Sequence, residues 1–132
     1  MPPAPDAHRT ILIVDDEAPL RGVLARQLRA AGFRILEAGN GSEALAVLEC
    51  RGRPVDLVLA DVVMPGMNGT ELADRLLAQD PAQPIVLMSA YAPSGMVEVG
   101  SGRRVSMLRK PFDVAALIDS VERAVAQTPT EG

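Results

Sequence analysis

Four short, mainly apolar runs punctuate the chain, at residues 10–14, 55–60, 85–88 and 105–108, with Asp56 and Ser106 as their only internal polar residues. Short runs rich in Val, Ile and Leu read as strands buried on both faces. A fifth stretch, 33–38, mixes Phe33, Ile35 and Leu36 with Arg34 and Glu37 and predicts a more exposed strand. Between the runs the apolar period changes. Leu20, Val23, Leu24, Leu28 and Ala31 fall at spacings of three and four, so they share one helix face. Pro19 suits the first turn of that helix and Gly32 its C-terminal stop. Ala44, Leu45 and Leu48 give a second face, behind a reciprocal cap from Asn40 and Glu43. Leu72, Leu76 and Leu77 give a third over 71–79. Leu117, Ile118, Val121 and Val125 give a last one, with Asp113 as its N-cap. Strands alternating with helices need crossover connections. The pattern therefore predicts one α/β domain, a five-stranded parallel sheet with helices on both faces.

One segment resists the pattern. The alternation asks for a fourth helix between Tyr91 and Arg104, yet that stretch holds three glycines, Pro93, two serines and two β-branched valines. These residues oppose helix formation. The expectation is a short, frayed or missing helix.

Composition narrows the class. A chain of 132 residues, 48% apolar, can bury a core of ordinary size. Phe33, Tyr91 and Phe112 are its only aromatics, so that core is aliphatic. A net charge of −4 argues against direct binding of nucleic acid. Cys50 is the sole cysteine, which excludes an internal disulfide and suits a reducing compartment. No apolar run approaches membrane-spanning length. Residues 1–8 lack the apolar centre of a signal peptide and read as a flexible leader. His8, the only histidine, falls in it. A domain over 9–126 and a flexible tail over 127–132 complete the expected layout, a cytoplasmic domain without membrane insertion.

The polar residues at the strand ends carry the chemistry. Asp15 and Asp16 end the first strand, Asp61 the third, Ser89 the fourth, and Lys110 follows the fifth. In an open parallel sheet the carboxyl edge is where ligands bind. Singly, each has an ordinary reading: a helix-cap pair, a loop carboxylate, a turn hydroxyl, a solvated charge. Together they place three carboxylates and one ammonium at one edge. Clustered carboxylates raise one another's pKa unless positive charge intervenes, and Mg²⁺ (or Mn²⁺) is the hard cation that suits oxygen ligands with phosphate. The set fits phosphoryl transfer to a carboxylate, with Asp61 as nucleophile, Asp16 and Asp15 around the metal, and Ser89 and Lys110 on the phosphoryl oxygens. Without metal the repulsion predicts that Asp61→Asn raises stability.

The Asp15-Asp16 pair, Asp61 followed by Met64-Pro65-Gly66 and Asn68-Gly69, Ser89-Ala90, and Lys110-Pro111-Phe112 resemble the receiver (response-regulator, CheY-like) domain of two-component signalling. The resemblance runs from about Arg9 to Ala126. It implies a (βα)5 flavodoxin-like three-layer sandwich with strand order 2-1-3-4-5. It also implies that Asp61 becomes a 4-aspartylphosphate, taking the group from a histidine kinase or a histidine phosphotransfer protein. Mg²⁺ would be held by Asp16, Asp61 and the backbone carbonyl of Val63, with Asp15 acting through water. Ser89 would be the switch hydroxyl, Lys110 would pair with the phosphoryl group, and a downstream protein would read the surface of helix 4, strand 5 and helix 5. The chain departs from the family on that surface: Met107 stands where an aromatic is usual, and the fourth helix is poor. The resulting expectation is that phosphorylation is read out by ordering or shifting residues 91–104.

Two other readings compete with a phosphoacceptor. An Mg²⁺-dependent aspartate-nucleophile phosphatase usually carries an acid two residues after its nucleophile, where this chain has Val63. A degenerate receiver that only binds protein would not need all of Asp15, Asp16, Asp61, Ser89 and Lys110 to be competent. Whether the receiver stands alone or comes from a hybrid histidine kinase is left open by the sequence.

Overall fold

The computed structural model describes residues 9–52 and 55–126. The expected leader and tail lie outside the described residues. In chain order the elements are β1 (Thr10–Val14), α1 (Ala18–Ala30), β2 (Arg34–Ala38), α2 (Gly41–Arg51), β3 (Leu57–Asp61), α3 (Gly69–Gln79), β4 (Ile85–Ser89), β5 (Gly95–Glu98), β6 (Arg104–Arg109) and α4 (Val114–Ala126).

All five residues of β1, of β3 and of β4 are buried, as unalternating apolar runs require. Side chains alternate between two cores. Leu12, Val58, Ala60 and Leu87 meet Leu72 and Leu76 of α3 on one face. Ile11, Ile13, Leu59 and Met88 meet Leu24 and Leu28 of α1 and Leu117 and Val121 of α4 on the other. β2 is an outer strand and is less buried than β1, β3 and β4, with Arg34 and Glu37 exposed, as its mixed sequence predicts.

The helix signals act locally as read, with one shift. The Asn40 side chain accepts from the Glu43 N–H, while the Glu43 carboxylate reaches back to the N–H of Gly39. Asp113 caps α4 by accepting from the Ala116 N–H at 2.8 Å. α1 ends in a paired closure, Gly32 N–H to Arg29 O and Phe33 N–H to Leu28 O, with Gly32 at φ 102°.

The sheet has six strands in the order β2-β1-β3-β4-β6-β5. The first five are parallel and realise the expected 2-1-3-4-5 order, with β6 as the fifth. Of the expected short, frayed or missing fourth helix, the last holds, and a short or disordered helix is corrected: the segment forms a strand, β5, antiparallel to β6. The residues that oppose a helix here favour a hairpin. Val97 and Val99 suit a pleated surface. Gly100-Ser101-Gly102 makes a tight loop in which Val99 N–H bonds Arg103 O and Gly102, at φ 84°, bonds Val99 O. Met107 and Val105 of β6 are buried beside Val99 in the core on the α3 side. There are thus four helices and six strands among the described residues.

Candidate functional site

The chain switches direction across the sheet between β1, which lies next to β2, and β3, and the site occupies the carboxyl ends of these two strands. Asp61 is the last residue of β3 and is 7% exposed. Its backbone is pinned from two sides. Val62 N–H bonds Met88 O across the sheet, and Gly69 N–H, at the start of α3, bonds Val62 O at 2.8 Å. A Cβ on Gly69 would lie 2.5 Å from the Asp61 carbonyl oxygen and 2.9 Å from Val62 Cα, so only glycine allows α3 to start this close. Asn68 and Glu71 form a full reciprocal cap on α3 that fixes the far side of the loop.

Asp15 follows β1 and is completely buried. Its Oδ1 accepts from the Glu17 N–H at 2.8 Å and so shapes the entry to α1. Lys110 follows β6, and its backbone N–H bonds Ser89 O at 2.9 Å. This places the ammonium in the carboxylate crevice. Lys110 Nζ donates to Asp61 Oδ2 at 2.5 Å and stands 4.0 Å from Asp15 Oδ2. The Lys110–Pro111 peptide is cis.

Asp61 and Asp15 differ in how they are satisfied. Asp61 has Lys110 on Oδ2 and the Val63 N–H on Oδ1 at 2.9 Å. Asp15 Oδ2 is buried with no hydrogen-bond partner. Burial pushes the Asp15 carboxyl above its ordinary range, against the Glu17 N–H, and the Asp61 charge adds to the rise. Asp16, next to it, is exposed. Two carboxylates, Asp15 and Asp61, thus face one ammonium, and a buried oxygen is left without a donor. Those are the surroundings a cation relieves. No three Asp, Glu, His or Cys side chains among the described residues converge closely enough to hold a metal alone. Mg²⁺ does not require that, since it binds through one or two carboxylates and fills its shell with water and phosphate oxygens. The donors fit it.

Ser89 ends β4 on the same edge and is 4% exposed, and its Oγ accepts from the Tyr91 N–H at 3.0 Å. Val63 is in the loop after Asp61 with its side chain pointing to solvent, 59% exposed. Arg21 escaped the sequence reading. Its guanidinium donates to the Asp15 carbonyl at 2.6 Å and to Glu37 at 2.9 Å, tying α1 and β2 to the site. Its position one turn into α1, on the polar side of the stripe, was the available signal. Met107 is 7% exposed within the core.

The model of the response regulator receiver domain matches residues 11–122. The chain belongs to that family. This receiver domain is 38% identical over 121 residues to the transcriptional regulatory protein PdtaR of Mycobacterium tuberculosis, covering 90% of this chain and 58% of that protein. It is 33% identical over 117 residues to the DNA-binding transcriptional regulator NtrC of Salmonella typhimurium, covering 88% of this chain and 24% of that protein. It therefore spans less than two thirds of the length of either relative. The solved receiver domain of the hybrid histidine kinase CckA superposes with a TM-score of 0.73 at 35% identity, covering 88% of this chain and 98% of that one. Membership makes the chain a phospho-accepting signalling domain of the two-component type. No helix among the described residues is long and apolar enough to cross a membrane.

Proposed function

We propose that Asp61 is the phosphoacceptor and that the receiver domain takes its phosphoryl group from a phosphohistidine on a histidine kinase or phosphotransfer protein. The observation that carries this is the placement of the Lys110 ammonium, 2.5 Å from Asp61 Oδ2 and within 4.0 Å of Asp15 Oδ2, at the open end of the sheet. In the transfer an Asp61 carboxylate oxygen forms the new P–O bond. The phosphorus–nitrogen bond of the donor breaks, and its electron pair stays on the imidazole. The Lys110 ammonium then has a phosphoryl oxygen to pair with, and the Ser89 hydroxyl exchanges the Tyr91 N–H for the same group.

Asp16, Asp61 and the Val63 carbonyl would hold Mg²⁺, or Mn²⁺, with Asp15 reaching it through water. The cation would neutralise charge that builds on the transferring oxygens. Leu20 and Val23 of α1 line an apolar cavity with Lys110, Pro111 and Phe112, next to the acceptor. A donor protein has to seat its histidine within reach of Asp61, and this patch is where it would rest. The domain accepts phosphorus rather than turning over esters: the residue two after Asp61 is the exposed aliphatic Val63, which offers no acid or base. A reducing cytoplasmic setting agrees with the single exposed thiol, Cys50. Incubation with acetyl phosphate and Mg²⁺, followed by peptide mapping of the adduct, tests the assignment. The label is expected on the peptide that contains Asp61, and a label on any other residue would remove the proposal.

A further inference from the structure

We propose that the free edge of β5 is a docking strand, and that its ligand is an extended acidic segment of a partner protein which adds to the sheet beside Met96 and Glu98. This goes beyond phosphoryl acceptance and does not depend on it. β5 ends the strand order and pairs only with β6. Val99 N–H bonds Arg103 O where the hairpin closes. The two-residue alternation of an antiparallel ladder then turns Gly95 and Val97 toward β6, and the N–H and C=O groups of Met96 and Glu98 toward the open edge. Edges that proteins protect carry charges, proline or a bulge, or are kept short; Gly95–Glu98 is four residues long with one charge, Glu98, and has no proline or lysine.

The strand is held ready for a partner. At one end the Ser94 hydroxyl accepts from the Arg109 N–H at 2.9 Å. At the other, Asp74 of α3 accepts from the Ser101 N–H at 2.9 Å. Such fixing reduces the ordering cost of strand addition. Met96 is 46% exposed and stands between cavities of about 160 and 290 Å³ that it helps to line. An apolar side chain from an added strand has a place to go there.

Charge selects the occupant. The chain carries −4 overall, yet residues 91–109 hold Arg103, Arg104 and Arg109 against Glu98 alone. All three arginines are exposed, and none is in an ion pair among the described residues. A second copy would bring an edge of the same sign, and like charges oppose that pairing. An acidic strand is drawn to the three arginines and meets a like charge only at Glu98.

The test selects peptides from a displayed library of random linear twelve-residue sequences against the full chain (about twelve residues comfortably exceed one strand). The expected winners alternate apolar and acidic residues. Their affinity should fall about tenfold or more in Glu98→Pro, which deletes an outward N–H without touching the β6 ladder. It should fall similarly in the Arg103→Glu/Arg104→Glu pair, and when alternate backbone nitrogens of the peptide are methylated. Circular dichroism and melting of each variant confirm that it is folded. Winners that bind Glu98→Pro unchanged, winners with a helical period, or no winners at all would overturn the proposal. So would a concentration-dependent dimer abolished by Glu98→Pro, because it would assign the edge to a second copy.

Discussion

Replacing Asp15 by asparagine should stabilise the metal-free domain. Asp15 is completely buried, its Oδ2 has no partner, and burial raises its pKa ahead of every other cause. Asparagine keeps Oδ1 as acceptor for the Glu17 N–H, removes one of the charges facing Asp61, and fills the same volume. A buried polar group relieved of charge in this way is worth about 1–2 kcal/mol. In a domain of this length that is a melting-temperature gain of about 3–8 °C. The sign with pH follows from the raised folded pKa. The ionised carboxyl costs stability above that pKa, and the cost fades as pH falls and the folded state keeps its proton more readily than the unfolded one. The gain from Asp15→Asn should therefore be full at pH 7 and shrink toward pH 4. The assay is a thermal scan of both proteins with a chelator at several pH values, repeated with Mg²⁺. Mg²⁺ should raise the wild type by mass action, by about 2.7 kcal/mol at a hundred times its dissociation constant, and should raise Asp15→Asn less. A variant that melts at or below the wild type with chelator at pH 7 would refute the electrostatic reasoning. The sequence alone assigned this gain to Asp61→Asn. The structure moves it to Asp15, because Asp61 already has Lys110 and the Val63 N–H.

Three further outcomes follow from the same geometry. Lys110→Met leaves Asp61 and Asp15 without their only ammonium and should cost about 1–2 kcal/mol in urea unfolding at pH 7, less at pH 4; an unchanged midpoint would mean that the ion pair contributes nothing. Gly69→Ala drives a Cβ into the Asp61 carbonyl and should cost about 1–3 kcal/mol by the same assay, and a neutral result would show that α3 can retreat freely. Ser89→Ala removes the acceptor of the Tyr91 N–H, so amide exchange at Tyr91 should speed up about tenfold while β4 keeps its protection. Equal exchange in the two proteins would show that Ser89 does not restrain the start of this segment.

The strands and helices that could be read in advance are those whose instructions are local. β1, β3 and β4 announce themselves as apolar runs, and α1, α2 and α4 by their spacing and caps. The five-strand order came from the family resemblance. β5 was legible only in the negative. Gly100, Gly102 and two valines ruled out a good helix, but strand formation depends on β6 offering a ladder, on Ser94 meeting the Arg109 N–H, and on Asp74 meeting the Ser101 N–H, all distant in sequence. At the site, the strand-end positions of Asp15, Asp61, Ser89 and Lys110 followed from pattern. Their unequal satisfaction did not, because an orphaned Oδ2 and the grip of Arg21 on the Asp15 carbonyl are properties of packing.

The central claim is that Asp61 is the carboxylate that takes phosphorus. Intact-mass spectrometry after acetyl phosphate and Mg²⁺ tests it most directly. Wild-type protein should gain one adduct of roughly 80 Da, the mass of a single phosphoryl group. The adduct should be lost in Asp61→Asn and in wild type treated with a chelator. An adduct that survives in Asp61→Asn, or a folded wild type that takes none, would contradict the account.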